Sequence, residues 1–436
     1  MSNTKSKAQK NKISLYTATS IVVANMIGTG VFTSLGYQVI DIKSILPLLM
    51  LWIVGGVTAL CGALSYGELA ASIPRSGGEY HFLREIYHPS IGFVAGWVSA
   101  TVGFAAPTAL AAMALGKYAN SVLPQVNPTY LAAFIVVAVS ILHGTNKNFG
   151  SKFQNLFTTV KVILIALFIM AGFFIEVPQN ISLLPVEGDF ATLFSPAFAV
   201  SLIFVSYAYT GWNAAAYITG EMENPQVNVP KALVQGTLLV MVLYVLLNFI
   251  FLYTASMSSL EGQVEIGYIS AIQIFGETGG KIMGLTISLL LISTVSAMVF
   301  AGPRVMQVMG EDIKIFRFLS KTKNDIPQNA VIFQGVLTLV FIFSSSFDQA
   351  LTFAGFTLSL VTFLTVAGVF VYRVKKPELH RPFKTPGYPF TPFIFLCLVG
   401  WTLVFILRDR PVESAAGLAT VSLGLLIYFL INKKSD

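Results

Sequence analysis

Asn25-Met26-Ile27-Gly28-Thr29-Gly30 lies in the middle of the first long apolar run, 15–37. It has a counterpart in the sixth run, Ser206-Tyr207-Ala208-Tyr209-Thr210-Gly211-Trp212-Asn213. Both stretches put glycine beside hydroxyl and amide residues at mid-run. Glycine weakens a helix by about 1 kcal/mol relative to alanine, and small polar neighbours can satisfy the backbone groups that a break sets free. Inside a bilayer such breaks are tolerated only where they are buried in protein or line a cavity. A single Gly-x-Gly reads equally well as a close-packing surface between helices. Two interrupted runs, five spans apart, point instead to a transporter built from inverted repeats, with its substrate at the breaks. An odd number of spans per repeat turns the second copy upside down. A half-helix starting after Gly28-Thr29-Gly30 aims free N–H groups at a carboxylate, with the Thr29 hydroxyl as a further donor. Carbonyls freed around Tyr207–Thr210 suit an ammonium.

The rest of the chain asks for a bilayer. Of its 436 residues, 55% are hydrophobic and 11% charged, whereas a soluble domain carries about 25% charge. The aromatic content is mostly Phe, which suits helices rather than barrel strands. A helix needs about 20 apolar residues to cross. Twelve runs fit: 15–37, 45–72, 91–119, 129–145, 154–175, 193–219, 232–255, 282–304, 330–346, 349–372, 388–407 and 413–431. With the N-terminus cytoplasmic, only Lys43, Lys117, Lys281, Arg408 and Arg410 fall in outer segments. Lys161 lies within a span, and every other Lys and Arg falls inside. That bias fixes the orientation with both termini cytoplasmic, and it accounts for the net charge of +7 without any nucleic-acid patch. The segment 311–323, EDIKIFRFLSKTK, alternates basic and apolar residues and reads as a short surface helix at the headgroups. No cleavable signal peptide is expected.

Lys161 is the one charge in Phe157–Phe174, FTTVKVILIALFIMAGFF. A lone ammonium at bilayer depth marks a functional site by default. The competing reading is a snorkelling lysine, but Lys161 lies about 12 Å into its span at 1.5 Å per residue, too deep for the headgroups unless the helix tilts.

Five stretches resemble one family, the amino acid–polyamine–organocation (APC) superfamily, in particular the bacterial relatives of the L-type amino acid transporters. Met26–Phe32, MIGTGVF, is similar to its first-helix motif. Pro74-Arg75-Ser76-Gly77-Gly78-Glu79-Tyr80 resembles its loop after helix two, and Phe153-Gln154-Asn155 with Lys161 its fifth helix. Tyr209-Thr210-Gly211-Trp212-Asn213, then Gly220–Pro225 and Pro230, resembles its sixth helix and exit. Arg381-Pro382-Phe383-Lys384, with Pro386 and Tyr388, resembles the approach to its eleventh. The resemblance implies an all-α membrane protein of twelve transmembrane helices: a five-plus-five inverted repeat with helices 1 and 6 broken, plus two C-terminal helices. The expected parts are a cytoplasmic tail 1–12, a first repeat 13–176, a second repeat 192–373, and helices 11 and 12 in 387–432. Carried over, the carboxylate site is Gly28, Thr29 and Gly30, and the ammonium and side-chain site is Met26, Ile27, Tyr207, Ala208, Thr210 and Gly211. Tyr207 and Thr210 are bulkier than the residues many relatives carry there, which implies a small pocket. Lys161 resembles a lysine whose ammonium sits where sodium-coupled relatives bind a cation, bridging to carbonyls near Gly28. Transport is then sodium-independent. Alternatively Lys161 itself carries a coupled proton.

The charge pattern narrows the substrate. No carboxylate lies at mid-depth in spans one, three, six, eight or ten, so a cationic side chain lacks a partner and neutral zwitterions are favoured. Glu68 sits near the cytoplasmic end of span two, and Asp348 in an outer loop. Ser293, Thr294 and Ser296, with Thr352 and Thr357, either line a polar pocket or are packing hydroxyls between helices. Cys61 and Cys397 lie in apolar runs, and the four histidines are scattered. No metal, cofactor, catalytic constellation or ATP-binding loop is expected, so the chain reads as a non-enzyme. With no outer-loop cysteine, the disulfide to a heavy chain used by animal relatives is not available. The expected function is secondary active transport of neutral, small amino acids across the inner (cytoplasmic) membrane by alternating access, proton-coupled or exchanging. The alternatives are a carrier of another small amine or polyamine, or an ion channel, which would want rings of charge or a repeated filter. The expected partners are the amino acid, a coupling proton and the lipid bilayer.

Overall fold

The computed structural model describes residues 12–145, 150–323 and 326–432, and side chains within them except at 150–158, 315 and 432. The tail 1–11, Lys147, the side chains of Phe153, Gln154, Asn155 and Lys152, and Lys433 and Lys434 therefore lie outside the described residues. Among the described residues every element is helical. Eight helices among the described residues are long and apolar enough to cross a membrane, and four shorter apolar helices, Leu15–Met26, Thr159–Gly172, Pro196–Ala208 and Gln328–Ser344, accompany them.

The first run is two helices. α1 (Leu15–Met26) is capped by the Ser14 hydroxyl, which accepts from the Thr17 N–H at 3.3 Å. After the break comes a 3₁₀ turn, Gly30–Phe32, and then α2 (Ser34–Asp41). α3 (Ile45–Ser72) and the short α4 (Glu79–Ile86) follow. α5 (Pro89–Val98) continues through a π turn at Ser99–Gly103 into α6 (Ala105–Val122). α7 (Pro128–Thr145) and α8 (Gly150–Gly172) complete this part.

After α9 (Asp189–Leu193), the sixth run is again split, into α10 (Pro196–Ala208) and α11 (Ala214–Tyr217). Ser195 caps the Phe198 N–H at 3.2 Å, and Pro196 opens the helix where a missing N–H costs nothing. α12 (Pro225–Thr254), α13 (Met257–Leu260), α14 (Ile266–Asp312), α15 (Arg317–Ser320), α16 (Gln328–Ser344), α17 (Phe347–Lys375), α18 (Phe390–Asp409) and α19 (Pro411–Asn432) follow.

Helix ends differ from the apolar runs because a helix does not stop where its lipid-facing stretch stops. α12 starts at Pro225 rather than 232 and takes in polar Gln226, Asn228 and Lys231. α14 starts at Ile266 rather than 282, as a loop helix that bends at Gly276 (φ +71°) before the membrane stretch. Asp348 is not in a loop. It lies in the first turn of α17, behind a capping box formed by Ser346 and Gln349, and it pairs with Arg410 at 3.0 Å. In 311–323 a 3₁₀ turn (Lys314–Phe316) and α15 replace one continuous surface helix.

α3 packs along α12, α6 along α14, and α7 along α16. The largest apolar core joins α1, α3, α10 and α12, with buried Trp52, Tyr209 and Tyr244 at its centre. Tyr209 and Tyr244 stand with ring centroids 5.1 Å apart, and the Tyr209 hydroxyl donates to the Trp52 carbonyl at 3.0 Å. The chain ahead of α1 is pinned to the exit of α11. The Ile13 N–H donates to the Glu221 carbonyl at 2.9 Å, and the Glu223 N–H to the Ile13 carbonyl at 3.0 Å.

Candidate functional site at two crossed helix breaks

The two breaks lie against each other. A Cβ on Gly30 would fall 2.6 Å from the Ala208 Cβ and closer still to its Cα. Gly211 has φ +98°, a conformation that favours glycine, and a Cβ there would meet the Asn25 carbonyl at 2.7 Å. Glycine is thus required at both positions for backbone to touch backbone. Gly28 differs: the nearest atoms to its Cβ position are the Thr294 methyl at 3.8 Å and the Met26 oxygen at 4.0 Å. That space is open.

Past the break, the N–H groups of Thr29, Gly30 and Val31 find no acceptor among the described residues. The Gly28 N–H is turned back onto the Met26 carbonyl at 2.8 Å. The donors of the first half therefore begin one residue later than expected and include Val31. A half-helix leaves its first N–H groups unpaired, so the start of the turn at Gly30 was the signal for Val31. The Tyr207 hydroxyl faces Thr29 from α10.

The carbonyls of the break are occupied. Tyr244 of α12 donates its hydroxyl to the Met26 carbonyl at 2.5 Å. Lys161 of α8, 4% exposed, points its Nζ at the Ile27 carbonyl at 3.5 Å and at the Thr294 hydroxyl of α14 at 2.7 Å. The ammonium thus faces the protein interior and not the headgroups. On the other break, the Tyr207 carbonyl, expected to be free, accepts from the Thr210 hydroxyl at 2.6 Å and from the Thr210 N–H at 3.0 Å.

The hydroxyls of α14 and α17 separate into roles. Thr294 holds Lys161, Ser296 bonds His143 at 2.7 Å, and Thr357 bonds the Phe353 carbonyl in its own helix. Ser293 and Thr352 are buried with hydroxyls that have no partner among the described residues. Above the breaks, Tyr37 is stacked between Phe204 (5.7 Å) and Phe347 (6.0 Å). Tyr118 donates to the Phe32 carbonyl at 2.8 Å and accepts from the Gly267 N–H at 3.0 Å, tying the first turn of α14 to the first half-helix. A small cavity beside Phe32, Ile165, Phe168 and Phe251 is lined by apolar groups and lacks the donors a carboxylate needs.

Comparison with known proteins gives the family of this chain, whose two broken helices cross at glycine with the buried Lys161 behind one of them. Over residues 13–430 the chain matches the family described as "Amino acid permease". It is 30% identical over 437 residues to "Large neutral amino acids transporter small subunit 2" of Homo sapiens, covering 97% of this chain and 81% of that one. It is 27% identical to "b(0,+)-type amino acid transporter 1" of Mus musculus, covering 98% and 89%. It is also 27% identical to the "Cystine/glutamate transporter" of Homo sapiens, covering 97% and 85%. The chain is accordingly a multi-pass membrane protein of the amino acid permease family, within the APC superfamily of amino acid transporters.

Proposed function

We propose that the chain is a sodium-independent secondary transporter of neutral, small amino acids, working by alternating access around the two breaks. The observation that carries this reading is the set of N–H groups at Thr29, Gly30 and Val31 that have no acceptor among the described residues, next to Gly28, where a Cβ would meet nothing closer than 3.8 Å. Such groups at a helix start hold a carboxylate. Relatives named for large neutral amino acids support an α-amino acid as the ligand.

Lys161 supports sodium independence. Its Nζ reaches the Ile27 carbonyl, and when protonated it supplies there the positive charge that Na⁺ would otherwise bring. Small size is supported by Tyr207 and Thr210. The Thr210 hydroxyl takes up the Tyr207 carbonyl and adds bulk at the break. The pairings α3 with α12, α6 with α14 and α7 with α16 support a five-plus-five inverted repeat within twelve helices, since each partner sits five spans after the other. With the basic residues inside, both termini face the cytoplasm of a stand-alone inner-membrane carrier.

The test is uptake into proteoliposomes of a panel of amino acids, with and without Na⁺, a pH gradient or internal substrate. Lys161→Ala is expected to lose uptake while still folding. Normal uptake by that variant, or an absolute need for Na⁺, contradicts the reading. Uptake that needs internal substrate selects exchange, and uptake driven by a pH gradient alone selects proton coupling.

A further inference from the structure

The loop Pro74–Tyr80 lies outside the crossed breaks, yet it delivers a buried carboxylate. Glu79, the first residue of α4, is 3% exposed. Its Oε1 accepts from the Tyr66 hydroxyl of α3 at 3.0 Å and from the side-chain amide of Asn213. Its Oε2 is buried without a donor. Tyr217 faces it from α11. Among the described residues no cation pairs with it. A carboxylate buried without a cation is costly, and packing alone does not ask for one.

The loop backbone grips the same short helix. The Gly77 N–H donates to the Tyr217 carbonyl at 3.2 Å, and the Ser76 hydroxyl accepts from the Gly220 N–H at 3.0 Å. Gly77 and Gly78 have φ of +120° and +52°, and a Cβ on Gly78 would come within 2.7 Å of the Tyr217 ring. The two glycines let the loop lie against α11 while Glu79 reaches on to Asn213. Asn213 is the residue that ends the break and begins α11. Any motion of α11 away from α3 must part either Asn213 or Tyr66 from Glu79.

We infer that Glu79 is a positioning residue for transport: its carboxylate fastens the inner half of the broken sixth helix to α3 and so governs how often the site opens to the cytoplasm. This rests on the reading of the two breaks as the substrate site. A hydrogen bond to a charged group is strong enough to shift such an equilibrium roughly tenfold. A site that is competent only part of the time binds with its affinity reduced by that fraction. Glu79→Ala is therefore expected to raise KM at the outer face and lower it at the cytoplasmic face, moving their ratio about tenfold. Asn213→Ala is expected to move it the same way while leaving the carboxylate in place. Glu79→Gln retains an acceptor oxygen for both donors and is expected to keep the ratio near that of the unaltered protein.

The measurement is KM at each face in proteoliposomes of defined orientation. An unmoved ratio in both Glu79→Ala and Asn213→Ala overturns the assignment, as does a Glu79→Gln protein displaced as far as Glu79→Ala. Lys161→Ala separates the two levels. Normal uptake by that variant removes the site itself, whereas lost uptake beside an unmoved ratio in the Glu79 and Asn213 variants removes only the latch.

Discussion

Gly28 and Gly30 differ by two positions and should fail in opposite ways when each is changed to alanine. At Gly30 the new methyl would lie 2.6 Å from the Ala208 Cβ, with the Ala208 backbone nearer still. Carbon atoms prefer about 3.5–4.0 Å, so one half-helix must move by roughly an ångström. Overpacking of this kind costs about 1–3 kcal/mol, and the obstacle is backbone, which puts Gly30→Ala at the upper end. The helix-propensity gain of about 1 kcal/mol does not offset it. At Gly28 the methyl meets nothing closer than 3.8 Å, so folding should be unaffected. It does add bulk beside the unpaired N–H groups, where a carboxylate would sit. Gly28→Ala is expected to melt like the unaltered protein in detergent and to lose uptake by tenfold or more, since 1.4 kcal/mol of lost binding already gives that factor. Gly30→Ala is expected to melt several degrees lower. Full uptake by Gly28→Ala, or an unchanged melting temperature in Gly30→Ala, would refute the geometry on which the site is built.

Two further outcomes are expected. Glu68 receives Arg373 at 2.6 and 2.8 Å, Arg381 at 3.4 Å and the Thr385 N–H at 2.7 Å, and it is almost fully buried. Removing one partner of a buried pair costs about 3–5 kcal/mol, less here because Arg373 keeps some water. Glu68→Ala should therefore lower thermal stability clearly, and an unchanged melting curve would show that the cluster holds nothing. Burial, and then Arg75 and Arg84, push the His81 imidazole in α4 below its ordinary pKa. The folded protein thus takes up this proton less readily than the unfolded chain. Stability from His81 is whole above about pH 6.5 and is lost as pH falls from there toward the folded value. His81→Asn should lose less stability than the unaltered protein between about pH 7 and about pH 5, and identical losses would exclude the effect.

The helical class and the place of both breaks were legible because apolar runs and mid-run glycines are local signals. Partnership across the chain was not. Nothing near Met26 announces that its carbonyl will be taken by Tyr244, and Thr294 read equally as a packing hydroxyl before it was found holding Lys161. Thr210 was read for its bulk, whereas its hydroxyl also closes the Tyr207 carbonyl, a turn-scale bond that composition does not reveal. Val31 carries no glycine signal of its own, because free donors are set by where the helix starts. In the sequence Glu79 is one letter of a loop motif. Its reach to Asn213 depends on two residues far apart in sequence meeting in the fold.

The backbone pairing of Ile13 with Glu221 and Glu223 bears on how the protein is handled. The stretch just before the first helix is stitched to the exit of the sixth, so whatever is fused or trimmed there pulls on both half-helices at once. On the alternating-access reading proposed above, a reporter placed close to Ile13 is expected to move with both half-helices, so that its signal registers transport and not merely location. A deletion running through Ile13 is expected to cut that seam and leave the two inner halves free to move out of step.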